Sequence, residues 1–255
     1  MKNHIENLVF AGGGVLGAAF IGSLEAIDEK VQSLHAIKQF IGTSVGSILA
    51  IFSALRYTTT EIKEIMLDLD FKKLADQGIY TLNFDTFSIT GIYEDIKDIY
   101  KLIRNERGNF GLNSGHFLEN WIEGIIAKKL GKKQATFADL HNNPTMGLLH
   151  ITGSNFSEHK SEVYNVENTP HMVISRAVRI STSVPILFGV VKEGNIIKVD
   201  GGVYNNFPME LFSDAENRKT IGLNFSTSLT HHLAKHHKIT VENMDQFVWE
   251  KYMAA

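Results

Sequence analysis

The chain has 255 residues, of which 44% are hydrophobic and 21% charged, and this is enough apolar material for one large folded domain. Its formal net charge is −3 with acidic and basic residues interspersed, which excludes the basic footprint typical of nucleic-acid binding. The chain contains no cysteine, which excludes a disulfide framework and a cysteine-ligated metal site.

The first predicted strand, residues 7–11, runs into a glycine-rich loop from Gly12 to Gly17, and a helix is expected from Ala18 to Lys30. This order favours an anion site, because the N–H groups of such a loop point outward and the dipole of the following helix adds positive potential. We interpret the loop as a set of N–H donors for an oxyanion.

A dinucleotide site is the alternative for this loop, since Gly12, Gly14 and Gly17 fit the pattern Gly-x-Gly-x-x-Gly. That pattern needs an acidic residue near the end of the second strand, and none follows the predicted second strand, Lys38 to Ile41. A P-loop is excluded because no Lys-Ser or Lys-Thr pair follows the glycines.

The second strand leads into the run Gly42-Thr43-Ser44-Val45-Gly46, followed by a helical segment. Glycines on both sides of Ser44 permit a sharp turn that presents its hydroxyl at the head of a helix, where the N–H of Val45 could help to hold an oxyanion. Ser44 is therefore a candidate nucleophile. The alternative is a helix N-cap, in which the Ser44 hydroxyl accepts a backbone hydrogen bond.

The next segments predict helices. Thr58 and Glu61 form a capping-box pattern before a helix from Ile62 to Asp70. A face of four isoleucines, which either packs on the core or forms a lid that meets lipid, comprises Ile92, Ile96, Ile99 and Ile103. A helix from His116 to Leu130 is expected to bury one face. The residues of that face are Phe117, Trp121, Ile125 and Ile126.

The last third of the sequence predicts two buried strands, Met146 to Thr152 and Thr220 to Phe225, and a helix from His171 to Thr182. A hairpin is expected over residues 192–199, turned at Glu193 and Gly194. The final segment contains an i, i+4 histidine pair that could ligate metal, but it lacks a HExxH pattern, so we favour a solvated helix. Its histidines are His231, His232, His236 and His237.

Asp200 follows the hairpin directly and precedes Gly201 and Gly202. Two glycines after an acid let the backbone turn tightly and bring other groups close to the carboxylate. Because a serine nucleophile needs a proton acceptor, Asp200 is the most constrained candidate. The alternative is a hairpin turn in which Asp200 bonds to its own backbone.

The glycine loop, the Ser44 turn and the Asp200-Gly201-Gly202 motif, in this order, resemble the patatin-like phospholipases, lipid acyl hydrolases with a Ser-Asp dyad. Two further segments are similar to family motifs. Arg179 to Phe188 fits Arg-x-Ser-x-x-x-Pro-x-x-Phe, and Asn205 to Pro208 resembles Asn-Asn-Pro interrupted by Phe207. The resemblance covers roughly residues 5–225.

The resemblance implies a three-layer α/β/α patatin-like fold with a mostly parallel central sheet. It also implies Ser44 as nucleophile and Asp200 as base, with no cofactor and no metal. The implied oxyanion hole comprises Gly12, Gly13, Gly14, Val15 and Val45, and the supporting motif glycines are Gly17, Gly42, Gly46, Gly201 and Gly202. We expect residues 1–225 to form the hydrolase domain, with residues 226–255 a helical tail packed on it.

The implied function is hydrolysis of lipid acyl esters, of the phospholipase A type, through an acyl-enzyme. Many family members carry a basic residue where this chain has Leu16, which leaves open a general carboxylesterase acting on neutral or short-chain esters. An inactive lipid-binding relative is the third alternative. The expected partner is a lipid or phospholipid, presented by a membrane or micelle surface; no protein partner is indicated.

The sequence indicates no membrane-spanning helix, since no apolar stretch reaches the ~20 residues needed. The first strand begins within a few residues of Met1, which leaves no room for a cleavable signal peptide. We expect a cytoplasmic protein whose membrane contact is peripheral, unless it is secreted by a route that needs no such peptide.

Overall fold

The computed structural model describes residues 4–69, 71–74, 111–217 and 219–225. Within this part of the chain the strands form a seven-stranded sheet and a separate two-stranded sheet. The strands are β1 (Asn7–Phe10), β2 (Gln39–Thr43), β3 (Gly111–Asn113), β4 (Leu148–Asn155), β5 (Lys160–Tyr164), β6 (Ile186–Phe188), β7 (Val191–Glu193), β8 (Ile196–Asp200) and β9 (Thr220–Leu223).

The centre of the large sheet is parallel, as the alternation of strands and helices predicts. Strands β9, β1, β2 and β4 lie side by side in parallel. Strands β5 and β8 both pair antiparallel with β4, and β7 extends the sheet beyond β8. The predicted α/β fold around a central sheet is confirmed.

Helices pack mainly on one face of this sheet. They are α1 (Ala19–Lys30), α2 (Val45–Ala54), α3 (Thr59–Leu67), α4 (Phe71–Leu74), α5 (His116–Leu130), α6 (Phe137–His141), α7 (Ile174–Ser181) and α8 (Asp214–Asn217). Residues 46–54 of α2 are all buried, and α2 contacts β1, β2 and β4. Side chains alternate along β1, so Leu8 and Phe10 join this main core while Val9 packs with Phe212 on the other face.

Most predicted elements are present with shifted ends. The second strand continues to Thr43, and α7 begins at Ile174 rather than His171. The capping box is present: the Thr58 N–H donates to the Glu61 carboxylate at 2.7 Å, and the Glu61 N–H donates to the Thr58 hydroxyl at 3.2 Å. The β7–β8 hairpin turns at Gly194, whose φ of 60° favours glycine.

The predicted buried face of α5 is correct at Ile126 but is otherwise wrong by one residue. The fully buried side chains are Leu118, Ile122 and Ile126, whereas Trp121 and Ile125 are only partly buried beside them. Residues 117, 121 and 125 and residues 118, 122 and 126 form two adjacent apolar stripes, each with a spacing of four. Packing against α7 selects the second stripe, which the sequence spacing alone does not distinguish.

The β4–β5 hairpin was not predicted, because its residues beyond Thr152 are mostly polar. The predicted isoleucine face at residues 92–103 and the histidine-containing tail lie outside the described residues. Across the part of the chain that the structure describes, no helix is both long and apolar enough to cross a membrane.

Candidate active site

Ser44 lies at the junction of β2 and α2, in the sharp turn that the sequence predicts. Its backbone has φ 53° and ψ −128°, a conformation that residues with a side chain rarely adopt. Although Ser44 occupies the N-cap position of α2, its side chain makes no capping hydrogen bond. The N-cap interpretation is therefore wrong, and the hydroxyl is available for another role.

Glycines allow the strand and helix to approach each other at this turn. A Cβ on Gly42 would lie 2.2 Å from the carbonyl oxygen of Gly46, and a Cβ on Gly46 would lie 2.5 Å from that of Phe10. Likewise, a Cβ on Gly17 would lie 2.4 Å from Cγ2 of Val45. Side chains at these positions would collide with the backbone or with Val45, so the predicted crowding is present.

The sheet brings Ser44 and Asp200 together, although they lie far apart in the sequence. Strand β2 ends at Thr43 opposite Thr152 of β4, and β8 ends at Asp200 opposite the next residue, Gly153. Since β5 occupies the other edge of β4, β2 and β8 share one edge. They run in opposite directions along it, so their C-terminal ends meet and the Ser44 hydroxyl reaches the Asp200 carboxyl.

The carboxyl group of Asp200 is fully buried. Its Oδ1 accepts a hydrogen bond from the N–H of Gly202 at 2.7 Å, so the predicted turn contact with its own backbone is present. Burial raises the pKa of Asp200 to about 7, although hydrogen bonding by the Ser44 hydroxyl and the Gly202 N–H lowers it. Among the described residues, Oδ2 has no hydrogen-bond partner.

The glycine loop lies beside Ser44, since a Cβ on Gly12 would be 3.2 Å from the Cβ of Ser44. Asn206 fixes the loop at this point. The N–H of Gly12 donates to the Asn206 carbonyl at 3.1 Å, and the Asn206 side-chain amide donates to the Gly12 carbonyl at 3.1 Å. The chain then enters a 3₁₀ turn, Gly14–Ala18, in which Gly14 has a φ of 56°.

Several backbone N–H groups around Ser44 have no acceptor among the described residues. They belong to Gly13, Gly14 and Val15 of the loop and to Val45 at the start of α2. The N–H of Gly12, by contrast, is occupied by Asn206. Four of the five residues predicted to form an oxyanion hole thus keep a backbone N–H that no described residue accepts.

Residues 8–213 match a known protein family, the patatin-like phospholipases. The chain belongs to the patatin-like phospholipase family. One relative, YqhO of Bacillus subtilis, is uncharacterized and is 32% identical over 225 residues, which is 84% of this chain and 69% of YqhO. Another, the probable lipid hydrolase 463L of Invertebrate iridescent virus 6, is 29% identical over 217 residues, 85% of this chain and 66% of that protein.

Two solved structures share the patatin fold. VipD from Legionella pneumophila matches with a TM-score of 0.58 and 19% identity over 90% of this chain and 52% of VipD. The ExoU structure from Pseudomonas aeruginosa, solved in complex with SpcU, matches with a TM-score of 0.51 and 20% identity over 100% of this chain and 54% of the matched one. The chain therefore spans about half the length of these structures.

The Arg-x-Ser motif of this patatin-like chain supports both Ser44 and Asp200. The Ser181 hydroxyl accepts the Ser44 N–H at 2.9 Å, and the Ser183 carbonyl accepts the Asp200 N–H at 3.0 Å. Arg179 is buried and donates to the Ser183 hydroxyl and, at 2.7 Å, to the Gly189 carbonyl. The sequence revealed this segment only through the family motif and assigned no role to Ser181 or Ser183.

Replacing Ser44 by Gly should give a more stable protein than replacing it by Ala. Both changes remove the hydroxyl, but only glycine adopts the observed backbone angles without strain, which costs a residue with a side chain about 1–3 kcal/mol. We expect the free energy of unfolding in urea to be about 1 kcal/mol higher for Ser44→Gly than for Ser44→Ala. The difference is smaller than the full strain energy, because the unfolded chain has greater conformational freedom with glycine. The reverse order would show that the turn is unstrained.

Proposed function

We propose that the protein hydrolyses carboxylic ester bonds of lipids, as a phospholipase of the A type, with Ser44 as nucleophile and Asp200 as base. The observation that carries this proposal is the contact of the Ser44 hydroxyl with a buried carboxyl whose pKa is raised to about 7. Membership of the patatin-like phospholipase family supports it, as does similarity to a relative named a probable lipid hydrolase.

In the first half of the reaction, Asp200 accepts the proton of the Ser44 hydroxyl while Oγ attacks the ester carbonyl carbon. The tetrahedral intermediate expels the alcohol, which takes the proton from Asp200, and the acyl group stays on Ser44. Water then attacks the acyl-enzyme, gives its proton to Asp200, and the fatty acid leaves as Ser44 recovers its proton. A pKa near 7 suits this shuttle, because an ordinary exposed Asp is too weak a base.

The negative charge on the tetrahedral intermediate needs donors that are already in place. We propose that the N–H groups of Gly13, Gly14, Val15 and Val45 supply them, since no described residue accepts from them. Gly12 is left out of this set because its N–H donates to Asn206. The positive end of the α2 dipole adds to the same stabilisation.

Apolar side chains border the loop and suit the acyl part of a lipid. The ring of Phe225 lies against Gly13 and stacks on Phe20 with ring centroids 4.3 Å apart. Val15 and Leu16 are half-buried in the loop itself. Because Leu16 offers no charge to a phosphate, an esterase acting on neutral lipids is the second candidate. Profiling neutral glycerides against phospholipids of equal chain length separates the two.

Reaction with a lipid-like fluorophosphonate tests the nucleophile directly. We expect mass spectrometry to find one adduct on Ser44 in the wild type and none in Ser44→Ala. Ser53→Ala is the matched control, because Ser53 is a buried serine near the other end of α2 whose hydroxyl donates to the Leu49 carbonyl at 2.8 Å. Wild-type protein that forms no adduct, even with liposomes present, would contradict the proposal and favour lipid binding without hydrolysis.

A further inference from the structure

Ser181, the last residue of α7, makes a long-range contact with Ser44. Its side chain is fully buried, and its hydroxyl oxygen accepts the N–H of Ser44 at 2.9 Å from 137 residues further along the chain. The Ser44 N–H is thereby occupied and is not one of the proposed oxyanion donors. Without the Ser181 hydroxyl this buried N–H would have no acceptor among the described residues, which is unfavourable for a buried polar group.

The backbone of Ser44 needs such support. Its φ of 53° and ψ of −128° are strained for a residue with a side chain, and strained conformations persist only where the surroundings fix them. On the C-terminal side of Ser44, α2 provides this support, since the Ser47 N–H and hydroxyl donate to the Ser44 carbonyl at 2.8 and 2.6 Å. On the N–H side, the hydrogen bond to Ser181 fixes the peptide plane.

The same short segment also holds Asp200. Two residues after Ser181, the Ser183 carbonyl accepts the Asp200 N–H at 3.0 Å. The segment itself is tied back to α7, because the Ser183 N–H donates to the Ile180 carbonyl at 3.0 Å and Arg179 donates to the Ser183 hydroxyl. The segment from Ser181 to Ser183 thus connects the two residues of the proposed dyad, because it accepts one backbone hydrogen bond from each of them.

We propose that Ser181 is a positioning residue, which fixes the position of the Ser44 hydroxyl relative to the Asp200 carboxyl. This inference rests on the proposed function. The Ser181 hydroxyl bonds to the backbone N–H of Ser44. Its contribution therefore concerns the orientation of the nucleophile and not the binding of lipid. Misplacing a reacting group by about 1 Å can cost on the order of 100-fold in rate. Loss of the Ser181 hydroxyl should therefore lower kcat and leave KM nearly unchanged.

The test compares Ser181→Ala with Ser181→Thr, which keeps the hydroxyl, and with the control Ser53→Ala. We expect kcat of Ser181→Ala to fall about 10- to 100-fold, with KM within about two-fold of wild type. Ser181→Thr should recover most of kcat, and Ser53→Ala should keep wild-type values. The pH of half-maximal kcat/KM should not fall in Ser181→Ala, because the burial that raises the Asp200 pKa is unchanged and a displaced Ser44 hydroxyl lowers that pKa less.

Wild-type kcat in Ser181→Ala, or an equal loss in Ser53→Ala, would overturn the positioning role. If Ser181→Ala does not fold, Ser181→Cys replaces it, since a thiol is a weak acceptor; Cys and Thr variants with equal kcat would then overturn the inference. Full activity of Ser44→Ala would instead contradict the proposed function itself, so the two failures are distinguishable.

Discussion

Replacing Asp200 by Asn should abolish turnover and, at the same time, make the folded protein more stable above pH 7. Asparagine keeps the size of the side chain and an oxygen for the Gly202 N–H, but it cannot accept a proton from Ser44. It also removes the need to bury a charge, because the wild-type carboxyl ionises in a fully buried position. Loss of activity with gain of stability is the expected combination at a site that stores electrostatic strain.

The pH range of this stabilisation follows from the two pKa values. The carboxyl of Asp200 has an ordinary pKa of 3.8 in the unfolded chain and a pKa of about 7 in the folded protein. As the pH rises between these values, the unfolded state releases the proton first, so the contribution of Asp200 to wild-type stability falls until about pH 7. Three pKa units correspond to about 4 kcal/mol, and this is the upper limit of the increase that we expect in the free energy of unfolding of Asp200→Asn.

Thermal or urea unfolding at pH 5 and pH 8 measures this gain, which should be larger at pH 8. Asp139→Asn is the control with the opposite sign, because hydrogen bonding by Lys132 and by Thr136 lowers the pKa of Asp139 to about 2. That carboxylate stabilises the fold above its ordinary pKa, so its loss should lower stability at pH 8. An Asp200→Asn enzyme with wild-type turnover, or one less stable at pH 8, would contradict the role of a buried base.

The pH dependence of the wild-type reaction gives an independent measurement of the Asp200 pKa. If ionised Asp200 is the base, kcat/KM should rise with pH and reach half its maximum near pH 7. An ordinary Asp would place this midpoint near pH 4.

The sequence indicated Ser44 and Asp200 as candidates through their flanking glycines and through family motifs, but it could not show why they meet. Their proximity depends on β4 continuing past Thr152, so that β2 and β8 end at adjacent positions along one edge. The residues of that continuation, Gly153 to Asn155, lack the apolar alternation from which strands are predicted. Long-range pairing of this kind is set by tertiary packing and has no local signal.

Local chemistry explains which alternatives failed. At Asp200 the predicted contact with its own backbone is present, since Oδ1 accepts the Gly202 N–H, and the role of base stays a proposal that the contact with Ser44 supports. For Ser44 the N-cap alternative was wrong, since its backbone angles lie far from the extended conformation of an ordinary cap. The hydrogen bond from Ser44 to Ser181 could not be predicted, because the Arg-x-Ser motif distinguishes Ser181 from its neighbours but does not show which distant group its hydroxyl meets.

Replacing Gly42 by Ala should destabilise the protein by about 3 kcal/mol or more and lower kcat over 100-fold. Its Cβ would lie 2.2 Å from the carbonyl oxygen of Gly46 and 2.5 Å from the amide nitrogen of Ser47. These are backbone atoms of α2, so no side chain can rotate away, and the helix must shift relative to β2. Because Ser44 joins these two elements, any such shift changes the distance from its hydroxyl to the Asp200 carboxyl.

The matched control is Gly22→Ala in α1, where a Cβ would meet nothing within 4 Å. In the interior of a helix, alanine is more favourable than glycine by about 0.5–1 kcal/mol, so this variant should melt slightly higher and keep full activity. Urea unfolding and ester turnover measured on both variants give the comparison. Wild-type stability and kcat in Gly42→Ala would mean that the turn tolerates a side chain. Close approach of strand and helix would then not explain the glycines around Ser44.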